Sequence, residues 1–187
     1  MTHIAVLALY LTEDPFADGW LPQTAQKLTE ANLIRLAEAI DHFLEDMDVV
    51  RVETKWVRWL SRYWELRQMG IPQALSPQEA DGLACWALSA GKHFPEAVEM
   101  IKSIPIAAVF GRTAFFYRLR KKELAKAFPE ATAELILLCL NATRDPFIML
   151  GQLTDVWNDL RHEKPSPVTL DAIRSEALRL GMDLGAA

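Results

Sequence analysis

Cysteine, glycine, histidine and long apolar runs are all scarce in this sequence, and each shortage closes off a class of protein. The two cysteines, Cys85 and Cys139, sit in the apolar stretches Leu83-Ala84-Cys85-Trp86 and Leu137-Leu138-Cys139-Leu140. Free thiols in such surroundings pack as small hydrophobes, which points to a reducing cytoplasm. Eight glycines and ten prolines among 187 residues are too few for a collagen or a Pro/Gly-rich linker. The N-terminal run from Ile4 to Leu11 is far shorter than the roughly 20 residues that a spanning helix needs. It lacks the positive leader and small-residue cleavage site of a signal peptide, so a buried first helix is expected and no membrane association. The four histidines, His3, His42, His93 and His162, are scattered, and no two share a helical turn as a metal-binding His-x-x-x-His face requires. Acids do lie near three of them (Glu38, Glu45 and Asp46 around His42, Glu96 after His93, Asp159 before His162), an arrangement that reads as a solvated helix face.

What is present is an apolar and mildly acidic chain. A hydrophobic fraction of 51% is too high for a disordered chain, and the length suffices for one core, so a single domain over residues 1–187 is expected. Twenty Lys and Arg against twenty-five Asp and Glu give a formal net charge of −5. That balance argues against a whole-surface nucleic-acid binder and against a polybasic membrane-surface protein, while leaving room for a local basic patch.

Helical periodicity dominates the chain. Leu33, Leu36, Ile40, Phe43, Leu44 and Met47 recur at three- and four-residue steps, with charged residues on the opposite face. The segment from Thr54 to Met69 carries Trp56, Trp59, Tyr63 and Trp64 and is apolar enough for a central helix closed by Gly70. Ser76-Pro77-Gln78-Glu79 has the capping-box pattern and predicts a helix from Pro77 to about Ala90, ended by Gly91. Phe94-Pro95-Glu96-Ala97 and Phe128-Pro129-Glu130-Ala131 each predict a helix start, and their spacing of 34 residues falls in the period range of helical repeats. Between them a single helix is expected from Thr113 to Lys126. Helices from Pro146 (capped by Asp145) to about Leu160 and from Thr169 to Leu180 follow, separated by a loop from Arg161 to Pro167. The fold class expected is all-α, about seven to nine helices stacked as antiparallel pairs and repeat-like, since no alternating strand pattern is longer than Val49 to Glu53.

The residues Tyr63-Trp64-Glu65-Leu66-Arg67-Gln68-Met69-Gly70-Ile71-Pro72, with Leu75, Glu79, Trp86 and Phe94-Pro95-Glu96-Ala97-Val98, form a pattern over roughly residues 54–140. It resembles a helical domain of unknown function found in the C-terminal region of some sirtuin-like bacterial antiviral proteins. The resemblance implies a scaffold, sensor or oligomerisation module beside an effector in phage defence. It rests on aromatic, Gly-Pro and capping positions. No Gly-rich turn between a strand and a helix accompanies them, so no NAD-consuming activity carries over.

Three constellations carry potential chemistry. Asp48, Glu53 and Lys55 echo the way some nucleases place carboxylates around Mg²⁺ and a lysine near the attacking water. Helical patterns flank the segment where such a site needs several strands, so a surface connection is the favoured reading. Arg112, Arg118, Arg120, Lys121, Lys122 and Lys126 interleave with Phe115, Phe116 and Tyr117. On a helix Arg118, Lys121 and Lys122 share a face that is expected to be exposed, fit for an acidic protein surface or for phosphates, or simply solvated. The Trp-rich helix anchors either a partner or the domain's own core. The expected function is a non-enzymatic protein-interaction or scaffold module without cofactor or metal, binding a protein partner or itself. The rival is a nucleic-acid-binding protein acting through the basic helix, or a metal-dependent nuclease.

Overall fold

In a computed structural model of the protein, the described residues are 77–103, 113–142 and 150–185, together with Thr29, Ala31, Arg35, Ser61, Trp64 and Glu65. Among them are seven α-helices, one 3-10 turn and no strand, so the fold is all-α. The helices are α1 Pro77–Leu88, α2 Phe94–Lys102, α3 Thr113–Lys121, α4 Leu124–Ala127, α5 Pro129–Ala142, α6 Leu150–Glu163 and α7 Pro167–Arg179. None among the described residues is long and apolar enough to cross a membrane. Of the helices predicted before residue 54, only Ala31 and Arg35 are described, and both are helical; the rest of them, the segment holding Asp48, Glu53 and Lys55, and Trp56, Trp59 and Tyr63 lie outside the described residues. Trp64 is helical and buried.

The sequence signals account for most helix boundaries. α1 begins at Pro77, as the capping box predicts, and Glu79 is fully buried. Leu83 to Ala90 are all buried, so the second half of α1 and the turn after it are enclosed on every side. The helix stops at Leu88, and Gly91, at φ +55, opens a 3-10 turn through His93 into α2. At the other end of the chain, Gly181 (φ +76) closes α7. Its N–H donates to Leu178 O and that of Met182 to Ala177 O, the paired bonds of a Schellman cap. Cys85 and Cys139 are free and buried within the core, as their apolar neighbours predict.

Three boundaries differ from expectation. α6 runs on to Glu163, and α7 starts at Pro167, preceded by Ser166 in an extended conformation (ψ 128) whose carbonyl accepts the Leu170 N–H. The predicted loop from Arg161 to Pro167 therefore shrinks to Lys164, Pro165 and Ser166. The expected single helix from Thr113 to Lys126 breaks at Lys122 and Glu123, where Glu123 adopts φ +51.

Two Phe-Pro-Glu-Ala motifs open neighbouring helices, through different backbone geometry. Phe94 is helical (φ −55, ψ −42), whereas Phe128 is extended (φ −143, ψ 66) and its carbonyl accepts the Thr132 N–H. Their rings meet at 5.9 Å between centroids. Further along the same two helices Lys102 Nζ donates to Glu134 Oε2 at 3.2 Å, so α2 and α5 run in the same sense. Likewise Glu130, in the first turn of α5, accepts from Ser166 N–H and Thr169 Oγ1, while Arg179 Nη2 reaches Leu140 O at the far end. Thus α7 also runs parallel to α5. Within the expected all-α stack, then, α2, α5 and α7 form a same-sense row, a packing that antiparallel pairs alone do not describe. α6 packs on α3 and α4. Among the described residues, seven side-chain hydrogen bonds tie together residues 32 to 39 positions apart.

The α2–α5 tie gives a pH-dependent prediction. Hydrogen bonding to Lys102 holds the Glu99 carboxyl below its ordinary value, and the same bond, followed by Glu134, holds the Lys102 amine above its own. The stabilisation from Glu99 is present above the ordinary carboxylate range and is lost as pH falls through its lowered pKa. That from Lys102 is present below the ordinary amine range and is lost as pH rises through its raised pKa. Both groups are exposed, so the effect on melting is small. An NMR titration is expected to show the Glu99 midpoint returning upward in Lys102→Ala.

Candidate functional site

The basic segment predicted as a binding face folds as α3 and α4, and packing sorts its cations into different environments. On α3 the inward arc consists of Phe115, Phe116, Arg118 and Leu119, all buried. Phe115 and Phe116 meet edge to face at 5.3 Å. At 100° per residue Arg118 falls on the edge of this arc, so the expected exposure of its charge is corrected: only 8% of the residue is accessible. Lys122 lies beyond the helix, half-buried, and its Nζ donates to Ser89 Oγ at 3.1 Å. The expected common face of Arg118, Lys121 and Lys122 is thereby divided. Arg112 lies outside the described residues.

Arg120 points the other way, across to α6. Its Nη1 donates to Asp155 Oδ2 at 2.7 Å and its Nε to Asp159 Oδ2 at 3.1 Å. These aspartates stand one helical turn apart, and Glu163 continues the ladder a further turn along. On the opposite wall Lys121 and Lys126 are exposed, and among the described residues neither makes an ion pair. Lys121 Nζ lies 6.0 Å from the centroid of the exposed Tyr117 ring.

Between the walls runs an open groove of about 1070 Å³, lined by Tyr117, Leu119, Arg120, Lys121, Glu123, Ala125, Lys126, Gln152, Asp155, Asp159, His162 and Glu163. Among the described residues three cations and four carboxylates share it, the cations on α3 and α4 and most of the carboxylates on α6. Beneath it the apolar stripe of α6 (Leu153, Val156, Trp157 and Leu160) is buried, which fixes the outward direction of Asp155 and Asp159. The sequence carried a signal for this acidic wall, acids at i, i+4 and i+8, but nothing in it said that the wall faces the basic segment.

The groove is bounded by strained backbone. Glu123 on one wall and Lys164, next to Glu163 on the other, are the non-glycine residues with positive φ (+51 and +53) among those described. The left-handed conformation costs an L-residue about 1 to 2 kcal/mol. Glu123→Gly is therefore expected to raise stability by up to about 1 kcal/mol in urea unfolding, glycine's chain entropy offsetting part of the relief. Glu123→Val is expected to lower it.

No group of three His, Cys, Asp or Glu among the described residues is placed to hold a metal ion. His162 lines the groove, and His93 pairs through Nδ1 with Glu96 at the start of α2.

A family model described as a domain of unknown function (DUF4020) matches residues 8–162. The chain belongs to this family. The DUF4020 match extends beyond both ends of the stretch over which the sequence resemblance was drawn, and it includes the groove lining as far as His162 while leaving α7 outside. No curated protein and no solved structure gives a significant match to the chain.

Proposed function

We propose that this DUF4020 chain is a non-enzymatic protein-interaction or scaffold module, built as a helical repeat, that works in the bacterial cytoplasm beside an effector of antiphage defence. The observation that carries the interaction reading is the pairing of Arg120 with Asp155 and Asp159. A nucleic-acid site needs a run of cations free to replace counterions along closely spaced phosphates. Here the basic segment has one arginine buried, one bridged to two carboxylates and one lysine tied to Ser89, and the remaining Lys121 and Lys126 share their groove with four acids. A phosphate chain laid there meets the α6 carboxylates. A protein surface bearing both signs of charge does not suffer that repulsion.

The repeat reading is supported by the same-sense row of α2, α5 and α7 and by the Phe-Pro-Glu-Ala recurrence. The cytoplasmic reading is supported by two buried free thiols. The defence role rests on the sequence resemblance. Titration with labelled single- and double-stranded nucleic acid is expected to give no binding that falls steeply with salt, whereas affinity purification from the native host is expected to recover a stoichiometric protein partner. Salt-sensitive nucleic-acid binding lost on Lys121→Glu and Lys126→Glu would overturn the reading. Phage plating on host cells with and without the gene tests the defence role, with higher plating expected in its absence.

A further inference from the structure

The charge pattern and size of the groove define what kind of protein surface fits it. Asp155, Asp159 and Glu163 follow one another at four-residue steps along α6, roughly 6 Å apart for a rise of about 1.5 Å per residue. Only the first two are answered from within the described fold, by Arg120, and Glu163 is exposed with no ion pair among the described residues. Facing them, Lys121 and Lys126 offer two ammonium groups. The groove, about 1070 Å³, is open to solvent, and the ladder from Asp155 to Glu163 runs along its α6 wall for about two helical turns. An incoming helix with cations at i and i+4 repeats the spacing of the α6 ladder, and carboxylates on its adjacent stripe would meet the two lysines.

We propose that the groove between α3–α4 and α6 receives about two turns of a partner protein's helix, with Lys or Arg at i and i+4 laid against Asp159 and Glu163 and a carboxylate laid against Lys121 and Lys126. The proposal rests on the protein-interaction reading and adds the occupant and its charge pattern. Polyanions are disfavoured by the acidic wall.

The test uses the full chain and a fluorescent, alanine-based helical peptide of about four turns, with lysines at i, i+4 and i+8 and glutamates on the neighbouring stripe. In low-salt anisotropy titrations this peptide is expected to bind about tenfold more tightly than a scrambled peptide of the same composition. Glu163→Lys is expected to weaken it about tenfold, Glu163→Gln less, and a peptide of reversed charges is expected to restore binding to a protein carrying Glu163→Lys and Lys126→Glu. Circular dichroism and melting verify that each variant is folded. Equal binding of patterned and scrambled peptides, or indifference of the patterned peptide to Glu163→Lys and Lys126→Glu in folded protein, overturns the proposal and leaves the interaction reading standing. Labelled single-stranded DNA of about 20 nucleotides that binds the groove and is lost on Lys126→Glu overturns both.

Discussion

Trp157→Ala is expected to lower the stability of the fold by about 3 to 5 kcal/mol, the range for emptying a well-packed aromatic site. For a chain of this size that is a fall in melting temperature on the order of 10 °C. Trp157 is among the largest fully buried side chains and lies on the inner stripe of α6, directly behind the wall that carries Asp155 and Asp159. The sharper comparison is Trp157→Phe. The indole Nε1 is buried and has no hydrogen-bond partner among the described residues. An unsatisfied buried donor costs roughly 1 to 3 kcal/mol, so phenylalanine removes that penalty while giving up part of the ring volume. We expect Trp157→Phe to cost less than about 1.5 kcal/mol by urea denaturation. A loss equal to that of alanine would mean that the indole N–H is satisfied in solution.

The second large effect concerns the motif that opens α2. Phe94 is fully buried while Phe128 is half-buried, although the two head identical tetrapeptides. Phe94→Ala is accordingly expected to cost about 3 to 5 kcal/mol, and Phe128→Ala to cost less. Because the rings touch, a double-mutant cycle is expected to return a coupling of about 0.5 to 1.5 kcal/mol. Additive losses would place the stabilising contacts of each ring with other neighbours in the core, such as Val98 and Ile101 on α2 and Ala131 and Leu135 on α5.

These elements also mark how far local chemistry reaches. The capping box before Pro77, both Phe-Pro-Glu-Ala starts and the glycine at 181 act through the backbone within one turn, and each is visible in the sequence. The break between α3 and α4 is not, because Lys121-Lys122-Glu123 contains no glycine, proline or asparagine to announce a left-handed residue. Lys122 is held there by Ser89, and Leu124 and Ala125 turn inward, so tertiary packing overrides helix propensity. The same holds at the site. Arg118, Lys121 and Lys122 read as one exposed face, yet Arg118 turns into the core, and Arg120, offset from that face, meets acids 35 and 39 positions on. Spacing places a charge on a helix face, but the element that face meets is decided by how the row of helices stacks.

That stacking bears on how the chain is made as well as on what it binds. The seven bonds among the described residues span a narrow band of 32 to 39 positions. Loop-closure entropy is therefore similar for each docking step, and none of these steps waits for a distant part of the polypeptide. During synthesis α5 can settle against α2 before α6 has emerged from the ribosome, and α7 can close onto α5 as soon as it emerges in turn. Assembly of this part of the molecule is then vectorial: a pause with residue 142 just clear of the ribosomal exit tunnel would leave α2 and α5 docked, with the apolar surface that α6 will cover still bare.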